Sequence, residues 1–294
     1  MKAALRLLAS LAALALVFAF VDARQVLDAL RTLPASLIAL ALLLTAVQIA
    51  LAAWRWRLTA SKLGLRLPYA LAFTECYAAS AINQLLPGGV LGDVARAWRH
   101  ANRVETRGAA IRAVVFERGM GQLALVLATA FAWTLQPRWA SSRLALAVGA
   151  LVLIVAVLVY ALRRYARRWP WLRDTAADLR RAWWPARVLA LQLAISWLLL
   201  ASIVLLFLLA ARAAGAQAPA IVLAPLLLNA LLAMALPFGF AGWGLRESAA
   251  ALSWSIAGLD AAQGVAASIS YGVLTLIGSL PGLLALLRLR SAAR

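Results

Sequence analysis

Six runs of about 20 mostly apolar residues, each long enough to cross a hydrocarbon core as a helix, occupy most of the chain. They are Leu5–Val21, Pro34–Ala53, Ala113–Leu135, Leu144–Leu162, Val188–Ala211 and Ala261–Leu287. Backbone surrounded by lipid has no water to pair with, and a helix satisfies its N–H and C=O groups within one segment. The chain is thereby held to an all-α polytopic membrane fold. Composition agrees: 65% hydrophobic and 13% charged, against about 45–50% and about 25% in a soluble domain. No polar stretch is long enough to fold separately in water, so residues 1–294 read as a single integral membrane domain.

A net charge of +19 would suggest nucleic acid in a soluble protein. Here the arginines lie between apolar runs, the pattern of cytoplasmic loops, so nucleic acid is not an expected partner. Cys76 and His100 are each the single residue of their kind, which excludes a disulfide framework or a Cys/His metal cluster within the chain. No metal, cofactor or enzymatic activity is expected. Cys76 reads as a small buried hydrophobe and His100 as an interfacial loop residue.

Lys2 and Arg6 place the N-terminus in the cytoplasm, and the spans that follow favour retention of the first helix over cleavage as a signal peptide. Arg55, Arg57, Lys62 and Arg66 mark a cytoplasmic loop, as do the eight arginines between Arg163 and Arg187. Arg288, Arg290 and Arg294 put the C-terminus on the same side. Trp54, Trp56, Trp98, Trp139, Trp169, Trp171, Trp183 and Trp184 sit at segment ends, as an interfacial belt does.

Two apolar regions, Tyr69–Trp98 and Pro219–Ala257, are interrupted. The interruptions share the pattern P-x-G-x-x-G-x-x-x-R at a constant offset: Pro87, Gly89, Gly92 and Arg96 fall on Pro237, Gly239, Gly242 and Arg246. Such a repeat divides the chain into a first helix and loop (1–33), unit one (34–135), a linking helix and basic loop (136–187) and unit two (188–290). An odd number of crossings separates the units, so they are expected to be inverted. Inverted repeats with Pro/Gly-broken segments point to a transport site near the bilayer midplane. Pro stops the first arm of each hairpin and glycine supplies the reversal; Gly88 and Gly244 belong to the same breaks. The second arm then starts a helix whose N-terminal dipole faces a cavity, with Asp93 expected to cap that start.

Asp93, Arg96, Glu117, Arg118, Arg246 and Glu247 are charges in apolar context, each costing about 2.5–3.5 kcal/mol at a helix centre. They are the candidate substrate-binding residues, with the arginines matched by neighbouring carboxylates: Arg96 by Asp93, Arg118 by Glu117 and Arg246 by Glu247. Because the charges match, an anionic site does not follow from counting; a zwitterionic group or proton coupling fits as well. Glu75, Asn83, Gln84 and Asn229 form a second rank, the amides being of the kind that join helices.

The chain resembles the transmembrane region of the lysylphosphatidylglycerol synthase/flippase family. The resemblance rests on "WRWRL" (Trp54–Leu58), "LLPGGVLGDVARAWR" (Leu85–Arg99), "VFERGMGQ" (Val115–Gln122), "LPFGFAGWGLRES" (Leu236–Ser248) and "GSLPGLL" (Gly278–Leu284). It implies location in the cytoplasmic (inner) membrane, membrane lipids as partners and the flipping of a phospholipid or polyprenyl-linked headgroup. The family's larger members carry a soluble aminoacyl-transfer domain after the membrane part, and lipid aminoacylation is not expected here. Two other classes remain open: a small-solute or ion transporter on the same repeat, and a non-transporting scaffold for an envelope-lipid enzyme. The oligomeric state is not legible.

Overall fold

The computed structural model describes residues 31, 33–86, 89–134, 160, 164–165, 169–235 and 244–291. The expected span Leu5–Val21, nearly all of Leu144–Leu162, and Trp139, Pro87, Gly88, Pro237, Gly239 and Gly242 lie outside the described residues. Among the described residues all regular structure is helical. Unit one comprises α1 (Ala35–Lys62), α2 (Tyr69–Leu85), α3 (Leu91–Ala101) and α4 (Arg107–Thr134). After α5 (Pro170–Trp183) the same order of long helix, broken pair and long helix returns. It is built from α6 (Ala186–Ala213), α7 (Ala220–Met234), α8 (Leu245–Ile256) and α9 (Ala261–Ser279), with α10 (Pro281–Ser291) beyond it.

Among the described residues four stretches are long and apolar enough to cross a membrane: Ala35–Lys62, Arg107–Thr134, Ala186–Ala213 and Ala261–Leu289. This is a multi-pass membrane protein. The 28 residues of α1 make a rod about 42 Å long, longer than the hydrocarbon core of about 30 Å. The helix therefore runs on past Ala53, and Arg55, Arg57 and Lys62 are helical, not in the loop expected for them. For the same reason α4 begins at Arg107, ahead of Ala113.

One further expectation is corrected. The basic segment before Arg187 is not a simple loop: Pro170–Trp183 is a helix opened by a proline in its first turn. Leu172, Asp178 and Ala182 are buried on one side of it. It docks on α4 through Arg112, which donates Nε (2.8 Å) and Nη2 (2.5 Å) to Asp178. An edge contact between Phe116 and Trp183 at 6.4 Å adds to this. The last expected span is present as Ala261–Leu289; within it α9 and α10 meet at Leu280, because Pro281 has no N–H to donate back along α9.

The broken pairs are true hairpins. At 11 residues, α3 is about 16 Å long and too short to cross. At the breaks Gly89 and Gly244 have φ of 60° and 85°, a region side chains other than glycine's disfavour. Small residues let the arms and their neighbours approach closely. A Cβ on Gly92 would lie 2.1 Å from the Ala79 carbonyl oxygen, which sets α3 directly on α2. A Cβ on Gly282 would lie 2.2 Å from that of Tyr77, which sets α10 on α2. Around these contacts lie two apolar clusters. One surrounds the first hairpin, with Ile49, Trp56, Cys76 and Val114. The other surrounds α6, α7 and α9, where Phe207 and Tyr271 stack at 4.3 Å.

Gly282→Ala must push backbone from backbone and should lower stability by about 1–3 kcal/mol or more. Gly119→Ala, whose Cβ would meet only Trp183 at 3.6 Å, should be neutral or slightly stabilising. Thermal unfolding of both variants in detergent micelles checks the contrast.

Candidate functional site

At the centre of the site is Glu117, a carboxylate 1% exposed on α4. Its Oε1 accepts from Arg55 Nε at 3.0 Å and from Arg55 Nη2, and its Oε2 accepts from Arg96 Nη2 at 2.6 Å. Arg55 comes from α1 and also donates Nη1 to Ser196 Oγ of α6 at 2.8 Å. Arg96 comes from α3, where it donates Nε to Asp93 Oδ1 at 2.8 Å and Nη1 to Cys76 Sγ at 3.2 Å. The Arg96 guanidinium lies over the Trp56 ring, 4.8 Å from its centroid. Asp93 Oδ2 accepts from Asn83 Nδ2 at 2.8 Å, from Arg118 Nε at 2.8 Å and from Arg118 Nη2. One connected network thus joins five helices.

Two pairings differ from expectation. Arg118 pairs with Asp93 and not with Glu117, both of whose oxygens are taken by Arg55 and Arg96. Asp93 does not cap α3; it is the third helical residue, and no side chain of the N-cap bonds the helix start. The capping partner comes from α2 instead, where Asn83 Oδ1 accepts the Gly92 N–H at 2.7 Å. The close approach at Gly92 brings Asn83 within reach.

The network forms one end of a cavity of about 760 Å³. Arg55, Asp93, Arg96, Glu117 and Arg118 line that end, with Asn83 and Gln84 beside them. The rest of the wall is largely apolar. Val94, Trp98, Ile111 and Val115 line it between α3 and α4 and are exposed, so this side is open. Farther along α1, Thr45 and Gln48 line the cavity. Thr45 Oγ1 and Gln48 Nε2 are buried with no hydrogen-bond partner among the described residues. Counted along the helices, Arg55 is about 10 Å from the end of α1 and Glu117 about 15 Å from the start of α4.

Arg246 and Glu247 are not among the residues lining this cavity. They form a buried pair on α8: Arg246 Nη2 donates to Glu247 Oε1 at 2.8 Å, and Arg246 Nε donates to Ser268 Oγ of α9 at 2.8 Å. Glu247 also accepts the Gly244 N–H and so closes the start of α8. The Arg246 guanidinium faces the ring of Tyr271 at 5.4 Å, and Tyr271 does line the cavity. Glu75 lies away from the cavity and holds the first hairpin shut, accepting from Arg99 (2.7 Å) and Arg103 (2.9 Å). Asn229 accepts from Trp133 Nε1 at 3.0 Å and donates to Ser253 Oγ at 3.3 Å, joining α4, α7 and α8.

His100 is buried inside the end of α3, edge-on to Trp56 at 5.3 Å, and is not an interfacial loop residue. Trp56 is likewise fully buried and not part of a belt, whereas Trp54, Trp98, Trp169, Trp171 and Trp184 are exposed. The sequence reading missed Arg55, Ser196, Thr45 and Gln48 as site residues. A signal existed: Thr45, Gln48 and Arg55 fall at i, i+3 and i+10 on α1, one face of a helix otherwise apolar to Ala53.

An α-helical, multi-pass membrane protein with broken hairpins around a charged cavity is the class these features define. The family described as the lysylphosphatidylglycerol synthase TM region matches residues 3–282, and the chain belongs to it. It is a membrane protein of a lipid-related family. No curated protein and no solved structure matches the chain.

Removing either partner of a buried pair strands the other charge, at about 3–5 kcal/mol. Arg55→Ala and Glu117→Ala should each destabilise by that order, and the double variant by clearly less than the sum. A double-mutant cycle of unfolding in micelles measures the coupling; additive losses would contradict it.

Proposed function

We propose that the protein is a flippase-like transporter that moves a lipid or lipid-linked headgroup, of phospholipid or polyprenyl-phosphate type, through this cavity. What carries the reading is the cavity's two-part wall. One end is a charged network, and the remainder is apolar and edged by the exposed Val94, Trp98, Ile111 and Val115. An amphipathic molecule uses both parts, with its head among the guanidinium groups and its chains passing between α3 and α4 into hydrocarbon. A small polar solute would use only the charged end. The role is transport without covalent chemistry, and the partners are membrane lipids.

The repeat supports alternating access. Arg55, near the end of α1, meets Ser196, near the start of α6. Trp133, at the end of α4, meets Asn229 of α7. Both contacts fit units of opposite direction, as an inverted-repeat transporter has. With both termini in the cytoplasm of an inner-membrane protein, the Lys62 end of α1 and the charged network face the cytoplasmic side.

Reconstituted into vesicles with a fluorescent phospholipid, the wild type should speed exposure of inner-leaflet label to an impermeant quencher. Arg96→Ala should reduce the initial rate about tenfold or more through loss of a buried ionic contact. Elution of the variant as a single species in detergent verifies its folding. No acceleration by the wild type, or an undiminished rate in the folded Arg96→Ala variant, would overturn the proposal.

A further inference from the structure

We propose that the headgroup held in this cavity carries one net negative charge, as a phosphodiester does, and that Arg118 is the residue that takes it. The inference rests on the lipid reading above and names its substrate class. Three guanidinium groups, Arg55, Arg96 and Arg118, meet two carboxylates, Asp93 and Glu117, in the cavity wall. Among the described residues the cluster therefore keeps one uncompensated positive charge. Arg55 tips this balance, since the remaining four charges cancel.

The hydrogen bonds point the same way. Both oxygens of Glu117 and both of Asp93 already accept from arginine, so no carboxylate oxygen is left free to receive a cationic head. Donors, by contrast, are spare. Arg118 gives Nε and Nη2 to Asp93 and leaves Nη1 without a partner among the described residues. Its side chain is 45% exposed, where those of Arg55 and Arg96 are 5% and 3%. A monoanion placed on Arg118 brings the cluster to neutrality; a cation adds to the existing charge, and a dianion reverses it. Beside hydrocarbon such residual charge is costly.

The test is calorimetric titration of the purified full chain in an uncharged maltoside detergent with three probes: dihexanoyl phosphatidylglycerol, uncharged dihexanoylglycerol and inorganic phosphate. The expected result is binding of the phosphatidylglycerol about tenfold or more tighter than the uncharged glyceride, in keeping with a charge-assisted contact. Arg118→Gln, its folding verified by elution as a single species in detergent, should erase that preference. Arg118→Lys should restore part of the preference. Equal affinity for the two glycerides overturns the anion inference and leaves the lipid reading standing. Inorganic phosphate binding as tightly as the phosphatidylglycerol supports an anion site but overturns its lipid source. A preference that survives in Arg118→Gln overturns the role of Arg118.

Discussion

Everything at the centre of this molecule depends on a carboxylate that cannot be left alone. Glu117 is buried on a long apolar helix, and its charge is tolerable only because Arg55 and Arg96 hold both of its oxygens. Those two arginines come from helices before and after the first break, so a single electrostatic obligation fixes α1, α3 and α4 relative to one another. Arg55 extends the obligation to α6 through Ser196, which draws the second unit against the first. Such a network adds little net stability over a well-packed apolar core. Its consequence is geometric: three guanidinium groups are held at one end of a cavity that is apolar elsewhere.

The two hairpins solve the same backbone problem with different charge placement. Each break places a glycine at positive φ, and each begins a short helix whose free N–H groups need an acceptor. In the first, the acceptor is Asn83, across the hairpin, which frees Asp93 to bridge Arg96 and Arg118. In the second, Glu247 closes its own helix and pairs with its neighbour Arg246. Charge in unit two is consumed locally, behind Tyr271, while charge in unit one is displayed. The repeat is thus similar in the order of its elements and dissimilar in its chemistry.

Much of this was legible in the residues themselves. Four of the spanning segments, the interruption of two apolar regions and the charges that line the cavity in unit one follow from hydropathy and from proline and glycine in apolar context, because lipid imposes those rules segment by segment. Helix ends were less legible. Charge alone suggested that α1 stops at Ala53, but a helix can outrun the hydrocarbon, and its basic end then carries Arg55 inward. The same error put Trp56 and His100 at the interface when they are the packed floor beneath Arg96.

The sequence by itself determined that the chain is a helical membrane protein, that it breaks twice, and that buried charge gathers near the breaks. Each of these is a local consequence of transfer free energy and backbone hydrogen bonding. Only the tertiary structure decided which charges meet. Arg118 and Glu117 are adjacent in sequence yet face different partners, while Arg55 and Glu117 are 62 residues apart and share a bond. Pairing depends on helix rotation and on how closely Gly92 lets two arms approach, and no local pattern encodes either. Among the described residues, that decision left the cavity wall with one arginine more than its carboxylates neutralise.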